Sequence, residues 1–159
     1  KENYEMDETS FIHYVDSAGN IQELQQIYAS SDRSWATFDE IPRDLINAAV
    51  AIEDKRFYQH RGVDWYRTVA AGVNYLLGVT DHFGASTITQ QLIKNLTGDN
   101  MVSPKRKLEE IFRAINLEKD LSKNEILESY LNVVYLSENC YGVGTAAQLY
   151  FNKDINMLI

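Results

Sequence analysis

The sequence has 159 residues, a formal net charge of −8 and 45% hydrophobic residues, enough apolar material for one domain with its own core. The acidic balance argues against nucleic acid, whose phosphates require a basic surface, and there is no run of about 18 apolar residues to span a membrane as a helix. Cys140 is the only cysteine, so no disulfide forms within the chain; Asn139, Tyr141 and Gly142 beside it offer no base, and it reads as a small buried residue.

In chain order, FIHYVDSAGNIQELQQIY (11–28) reads as a strand, a turn at Ser17–Asn20 and a second strand, with Asp, Ser, Gly and Asn supplying the turn. FDEIPRDLINAAVAIEDKRF opens a helix: Asp39 or Glu40 precedes it, Pro42 fits its first turn, and Leu45, Ala48, Ala49 and Ile52 recur at helical spacing. VDWYRTVAAGVNYLLG is a second helix, capped by Asp64 and stopped near Gly78. Tyr75, Leu76, Leu77 and Phe83 suit either a membrane-contacting face or plain core packing. VTDHFGAS has no periodicity and reads as a loop. STITQQLIKNLTG follows as a short helix, with Thr87 and Gln90 in a capping-box pattern and Gly98 at its end. SPKRKLEEIFRAINLEKDL has Ser103 at the cap and Pro104 at the first position, with Leu108, Ile111, Phe112 and Ile115 as its buried stripe. Ser122 and Glu125 form another capping box ahead of KNEILESYLNVVYL, whose inward stripe is Leu127, Tyr130, Leu131 and Val134. YGVGTAAQLYF gives a glycine turn and one more short helix. The expected fold is mainly α with a short N-terminal β element: residues 1–40 as hairpin and linker, residues 41–159 as the helical domain.

Polar chemistry concentrates in three places. Glu53 falls at the end of an apolar helix, the unfavourable pole of the macrodipole for a carboxylate, and burial there suits a proton-transfer role. Asp54, Arg56, His60 and Arg61 beside it read equally as surface charges or local caps. In RKLEE, Arg106 and Lys107 lie four and three residues before Glu110 and share its face; this is an ordinary surface ion pair unless a second polar group meets it. In GASTITQQLIKN, Ser86 and Thr87 lead into a helix N-terminus whose free amides would receive an anion. Gln91 and Lys94 share a face there, and Gln90 and Gln91 beside a core leucine are expensive to bury without partners. Lys94, Lys105, Arg106 and Lys107 form a basic cluster opposed by Asp99 alone, either an anion site or a solvated helix end. His13, His60 and His82 are far apart, so no metal-ligand pattern exists, and no histidine is placed by motif to activate Ser86. Paired carboxylates such as Glu53 and Glu110 are the usual equipment of glycosidic chemistry, and a Lys/Arg anion site fits a phosphorylated leaving group.

These stretches resemble, in order, the five motifs of the peptidoglycan glycosyltransferase (transglycosylase) domain of class A penicillin-binding proteins and monofunctional transglycosylases, glycosyltransferase family 51. EDKRFYQHRG is similar to Glu-Asp-x-x-Phe-x-x-His-x-Gly, GASTITQQLIKN to the second motif, RKLEE to Arg-Lys-x-x-Glu, KNEILESYLN to Lys-x-x-Ile-Leu-Glu-x-Tyr-Leu-Asn, and GVGTAAQLYFNK to the fifth. The resemblance implies a lysozyme-like helical lobe with a smaller membrane-facing lobe, and polymerisation of lipid II into glycan strands with inversion at the anomeric carbon. It implies Glu53 and Glu110 as catalytic residues, Glu53 being the base for the acceptor hydroxyl. Ser86, Thr87, Gln91, Lys94, Arg106 and Lys107 would surround the donor's pyrophosphate. Asp54, Phe57, His60, Gly62, Glu128, Tyr130 and Asn132 would shape the motifs. A divalent cation, Mg or Mn, is allowed at the pyrophosphate, with no organic cofactor and no metal held by protein ligands alone. Implied partners are lipid II, the growing glycan chain, the membrane surface and the cell-wall synthesis machinery, at the outer face of the bacterial plasma membrane. Inhibition by moenomycin is implied too.

Two departures stand out. The family commonly carries an arginine eight residues after the second-motif lysine, where this chain has Val102, with Lys105 or Arg106 as compensating cations. The sequence also begins at Lys1 rather than Met and ends before the family's last helical segment, so it reads as a piece whose membrane anchor lies outside it. A lysozyme-like lytic enzyme and a non-catalytic lipid II-binding module are the competing readings of the same carboxylates.

Overall fold

The computed structural model describes residues 10–15, 21–27, 34–76, 84, 86–98 and 103–158. Strands β1 (Ser10–Val15) and β2 (Ile21–Ile27) pair antiparallel, Val15 opposite Ile21 and Ser10 opposite Ile27, with a register shift between Ile12 and His13. The two strands expected of the N-terminal hairpin are therefore paired. Its turn at 17–20 lies outside the described residues, as do the loop at 79–83 with its His82, the apolar Leu77 and Phe83, and Val102.

Among the described residues six α-helices follow: α1 (Arg43–Glu53), α2 (Trp65–Leu76), α3 (Ile88–Thr97), α4 (Pro104–Asp120), α5 (Lys123–Val133) and α6 (Val143–Phe151). A 3-10 turn, Phe57–Gln59, joins α1 to α2. The caps account for most of the boundaries. Asp64 Oδ1 accepts from the Arg67 amide at 3.1 Å and starts α2. Thr87 with Gln90, and Ser122 with Glu125, close reciprocal capping boxes on α3 and α5. Ser103 accepts from the Arg106 amide ahead of Pro104, and Gly98 ends α3 in the left-handed region. α1 differs from expectation: Pro42 occupies its cap position, and Glu40 instead binds the amide and hydroxyl of Thr37.

α3 is the central helix and packs on α4 and α5. Phe57, Ile88, Leu92, Ile126 and Leu127 are almost fully buried around it, each side chain contributing about 1.5–3 kcal/mol by leaving water. No helix among the described residues is long and apolar enough to cross a membrane.

Two expected apolar stripes are rotated. On α1 the buried residue is Ile46, while Ala48 is exposed and Ile52 is 78% exposed; Ile52 instead forms part of a cleft wall. On α4, Leu108 and Phe112 are exposed and Glu110, Ile111 and Ala114 face inward. The cause is local. Glu110 can be buried because two cations on its own helix pair with it. Gly62 sits against the backbone at Ala114, with φ +85° and no room for a Cβ, which would lie 2.6 Å from the Ala114 carbonyl oxygen. Gly62→Ala is accordingly expected to lower stability by roughly 1–3 kcal/mol, read by thermal denaturation; an unchanged melting temperature would contradict this packing.

The segment before α1 is fastened to α5. Asn132 Oδ1 accepts from the Ala36 amide at 2.8 Å, and its Nδ2 donates to the Ala36 carbonyl at 2.7 Å. Glu128 accepts from the Phe38 amide and from Trp35 Nε1.

Candidate active site

The C-terminal end of α1, the exposed face of α3 and the first half of α4 converge on a cleft of about 330 Å3. Its walls include Glu53, Arg67, Ser86, Gln91, Lys94 and Glu110. The two carboxylates singled out in the sequence thus share one groove with Lys94.

Their surroundings differ. Glu53 is the last residue of α1 and half-buried. Its Oε2 accepts from Gln91 Nε2 at 2.9 Å, and its backbone carbonyl accepts from Arg67 Nη1 at 2.9 Å. No cationic side chain among the described residues pairs with its carboxylate. Glu110 is buried, and both its oxygens are taken: Arg106 Nη1 donates to Oε2 at 2.6 Å and Lys107 Nζ to Oε1. Lys107 also donates to Ser86 Oγ at 2.7 Å, joining α4 to the entry of α3. Arg106 lines an adjoining pocket with Lys94, Glu110 and Arg113. Lys94 is exposed on the cleft wall, and no described carboxylate pairs with it. Arg106, Lys107 and Lys94 against the one carboxylate of Glu110 leave this side of the cleft net positive.

Three of the amides at the α3 N-terminus are already engaged within the protein. The Thr87 amide donates to Gln90 Oε1, the Ile88 amide to Asp54 Oδ2, and the Gln90 amide to the Thr87 hydroxyl. Thr87 is itself fully buried, and its hydroxyl donates to the Gly62 carbonyl at 2.6 Å. It lies beneath the cleft rather than in it, because its hydroxyl is used to cap α3 and to hold the first motif. The positive charge available to an anion in the cleft is carried by the side chains of Lys94, Arg106 and Lys107.

Asp54 is wholly buried behind Glu53, accepting from the Ile88 amide at 3.1 Å and lying 2.9 Å from His60 Nε2. Phe57 is in the core under the Lys123 ammonium, 4.2 Å from its ring centre. Asp64, at the start of α2, is pushed up by burial. The Arg67 amide and the Arg56 guanidinium together outweigh that and hold its carboxyl below the usual range.

A family model described as transglycosylase matches residues 20–159. The chain is 44% identical over 136 residues to penicillin-binding protein 1A of Escherichia coli K12, covering 86% of this chain and 16% of that protein. It is 44% identical over 147 residues to penicillin-binding protein 1A of Clostridium perfringens strain 13, covering 90% of this chain and 21% of the relative. Against the protein of the same name from Clostridium botulinum strain Langeland it is 42% identical over 144 residues, covering 86% of this chain and 17% of the relative. The chain belongs to the transglycosylase family. It spans about a fifth or less of the length of these relatives.

Two contacts supporting this transglycosylase cleft were not foreseen in the sequence. Arg67 reaches from α2 to the Glu53 carbonyl, the Gly84 carbonyl and, at 3.8 Å, Asp54. A signal for it existed: Arg67 is the only charged residue in Trp65–Leu76 and stands in the first turn, where a cation opposes the helix dipole. A charge kept in that position has to be serving something else. Tyr130, expected in the inward stripe of α5 and as a residue shaping the motif, is 3% exposed, yet its hydroxyl donates to Gln91 Oε1 at 3.3 Å.

Proposed function

We propose that this domain polymerises lipid II at the outer face of the bacterial plasma membrane, anchored by a segment outside these residues, and works with the cell-wall synthesis machinery. The supporting observation is the unequal treatment of two carboxylates on one cleft. Glu53 is held by an amide, with oxygen lone pairs left for a proton. Glu110 is enclosed by Arg106 and Lys107.

In this reading the 4-hydroxyl of the acceptor lipid II attacks the anomeric carbon of the growing chain. Its proton passes to Glu53 as the new C–O bond forms. The bond from the anomeric carbon to the lipid diphosphate breaks with its electron pair, and the carbon inverts. Lys94, Lys107 with Ser86, and Arg106 receive the charge that builds on the departing diphosphate; Glu110 holds two of these cations in place. The family resemblance allows a divalent cation at the diphosphate. Among the described residues no group of three or more His, Cys, Asp or Glu is arranged to hold one, and both oxygens of Glu110 are occupied. The steps above run on the side-chain cations alone.

A lytic hydrolase would need its second carboxyl to deliver a proton to the leaving sugar oxygen. Glu110 meets only cationic donors and has no free oxygen for that task, which favours transfer. The test is incubation of the purified protein with fluorescent lipid II and separation of products on a gel. A ladder of glycan strands, abolished by moenomycin, is expected. Soluble muropeptides released from cell wall would establish the lytic reading instead, and tight lipid II binding without product would establish a non-catalytic module.

A further inference from the structure

We propose that Tyr130 is a positioning residue for the glycosyl transfer: its hydroxyl fixes the orientation of the Gln91 side-chain amide, and through it the carboxylate of Glu53. The inference rests on the reading of Glu53 as the base.

The geometry is a directed chain across three elements. Tyr130 on α5 donates to Gln91 Oε1 on α3 at 3.3 Å, and Gln91 Nε2 donates to Glu53 Oε2 at the end of α1 at 2.9 Å. A primary amide has one accepting and one donating end. A carboxylate offers only acceptors, so the NH2 must face Glu53, which turns the carbonyl oxygen toward α5. That oxygen is satisfied only if a donor waits there. Tyr130 qualifies because it keeps its proton: burial, then the nearby charge of Glu53, pushes its hydroxyl up to about 12. Tyr130 is otherwise a core residue, 3% exposed among the aliphatic side chains packed on α3. Phenylalanine would fill that volume equally well, so packing alone gives no reason for a hydroxyl there. Donation into Gln91 Oε1 also polarises the amide and strengthens its N–H toward Glu53. Without the hydroxyl, the amide oxygen loses its donor and the Gln91 side chain is free to swing away from the carboxylate, releasing Glu53 from its aim into the cleft.

Three variants test this on lipid II: Tyr130→Phe, Gln91→Ala and the double substitution. Tyr130→Phe is expected to lower kcat about tenfold, the scale of one hydrogen bond, with KM and melting temperature unchanged. In the Gln91→Ala background the same change should cost nothing further, because the hydroxyl acts through the amide. An equal loss in both backgrounds, or wild-type kcat in Tyr130→Phe, overturns the proposal. A measurement independent of turnover separates this proposal from the reading of function. In protein labelled with 15N-glutamine, the Gln91 side-chain amide signal is assigned by its loss in Gln91→Ala. It should shift in both Tyr130→Phe and Glu53→Gln. If it moves in neither, the chain of contacts is wrong whatever the enzyme does. If it moves in both while wild-type protein makes no polymer, the contacts stand and the glycosyl-transfer reading falls.

Discussion

Glu53→Gln is expected to reduce polymerisation of lipid II by ~10²- to 10⁴-fold, the usual consequence of removing a general base, while leaving the fold intact. The reason for the second half is visible in the contacts. The amide oxygen of a glutamine can still accept from Gln91 Nε2. The tie from Arg67 goes to the backbone carbonyl of residue 53, which the substitution does not touch. Nothing in the core depends on this side chain, so the stability change should stay within ~0.5 kcal/mol. Initial rates on labelled lipid II and a thermal melt check both parts together. Wild-type turnover in Glu53→Gln would remove Glu53 from the base role. A folded protein that still binds lipid II without extending it is the expected result.

The helices were legible because their boundary signals are local. Thr87/Gln90 and Ser122/Glu125 satisfy the first amides of their own helices whatever lies elsewhere, and Asp64 and Ser103 do the same by a single bond. The spacing of Arg106, Lys107 and Glu110 also survives, since partners three and four residues apart on a helix meet without help from the rest of the chain. What was not legible depends on contacts distant in sequence. Leu108 and Phe112 look like core by period alone. The inward face of α4 is set instead by the paired Glu110 and by the backbone of the Gly62 turn, which reaches Ala114 from the first motif. The amides at the start of α3 look free until Asp54, 34 residues upstream, is found on one of them. Tyr130 shows the same limit: its place in an apolar stripe predicts burial, and only the fold brings its hydroxyl to an amide 39 residues away.

Asp54→Ala should fail in the opposite way to Glu53→Gln, by losing the fold before the chemistry. Asp54 follows the last helical residue, with φ −150° at the C-cap of α1, so its side chain turns inward while that of Glu53 reaches the cleft. Inside, it is the acceptor for the Ile88 amide and the partner of His60 Nε2, with Arg67 at 3.8 Å. Alanine leaves a buried amide and a nearly buried imidazole nitrogen without their acceptor. Removing one partner from such a buried set costs about 3–5 kcal/mol, a large share of the roughly 5–15 kcal/mol that holds a domain folded. The melting temperature is expected to fall by roughly 10 °C. Asp54→Asn keeps the shape and one acceptor oxygen and should fall less. A melt for Asp54→Ala that matches wild type would mean that the contact between the first motif and the start of α3 carries no stability. That contact sets the distance from Glu53 on α1 to Gln91 on α3, so activity in the alanine variant should be lost even at temperatures where it remains folded. In the proposed mechanism, of two adjacent carboxylates one takes a proton and the other holds the first in place.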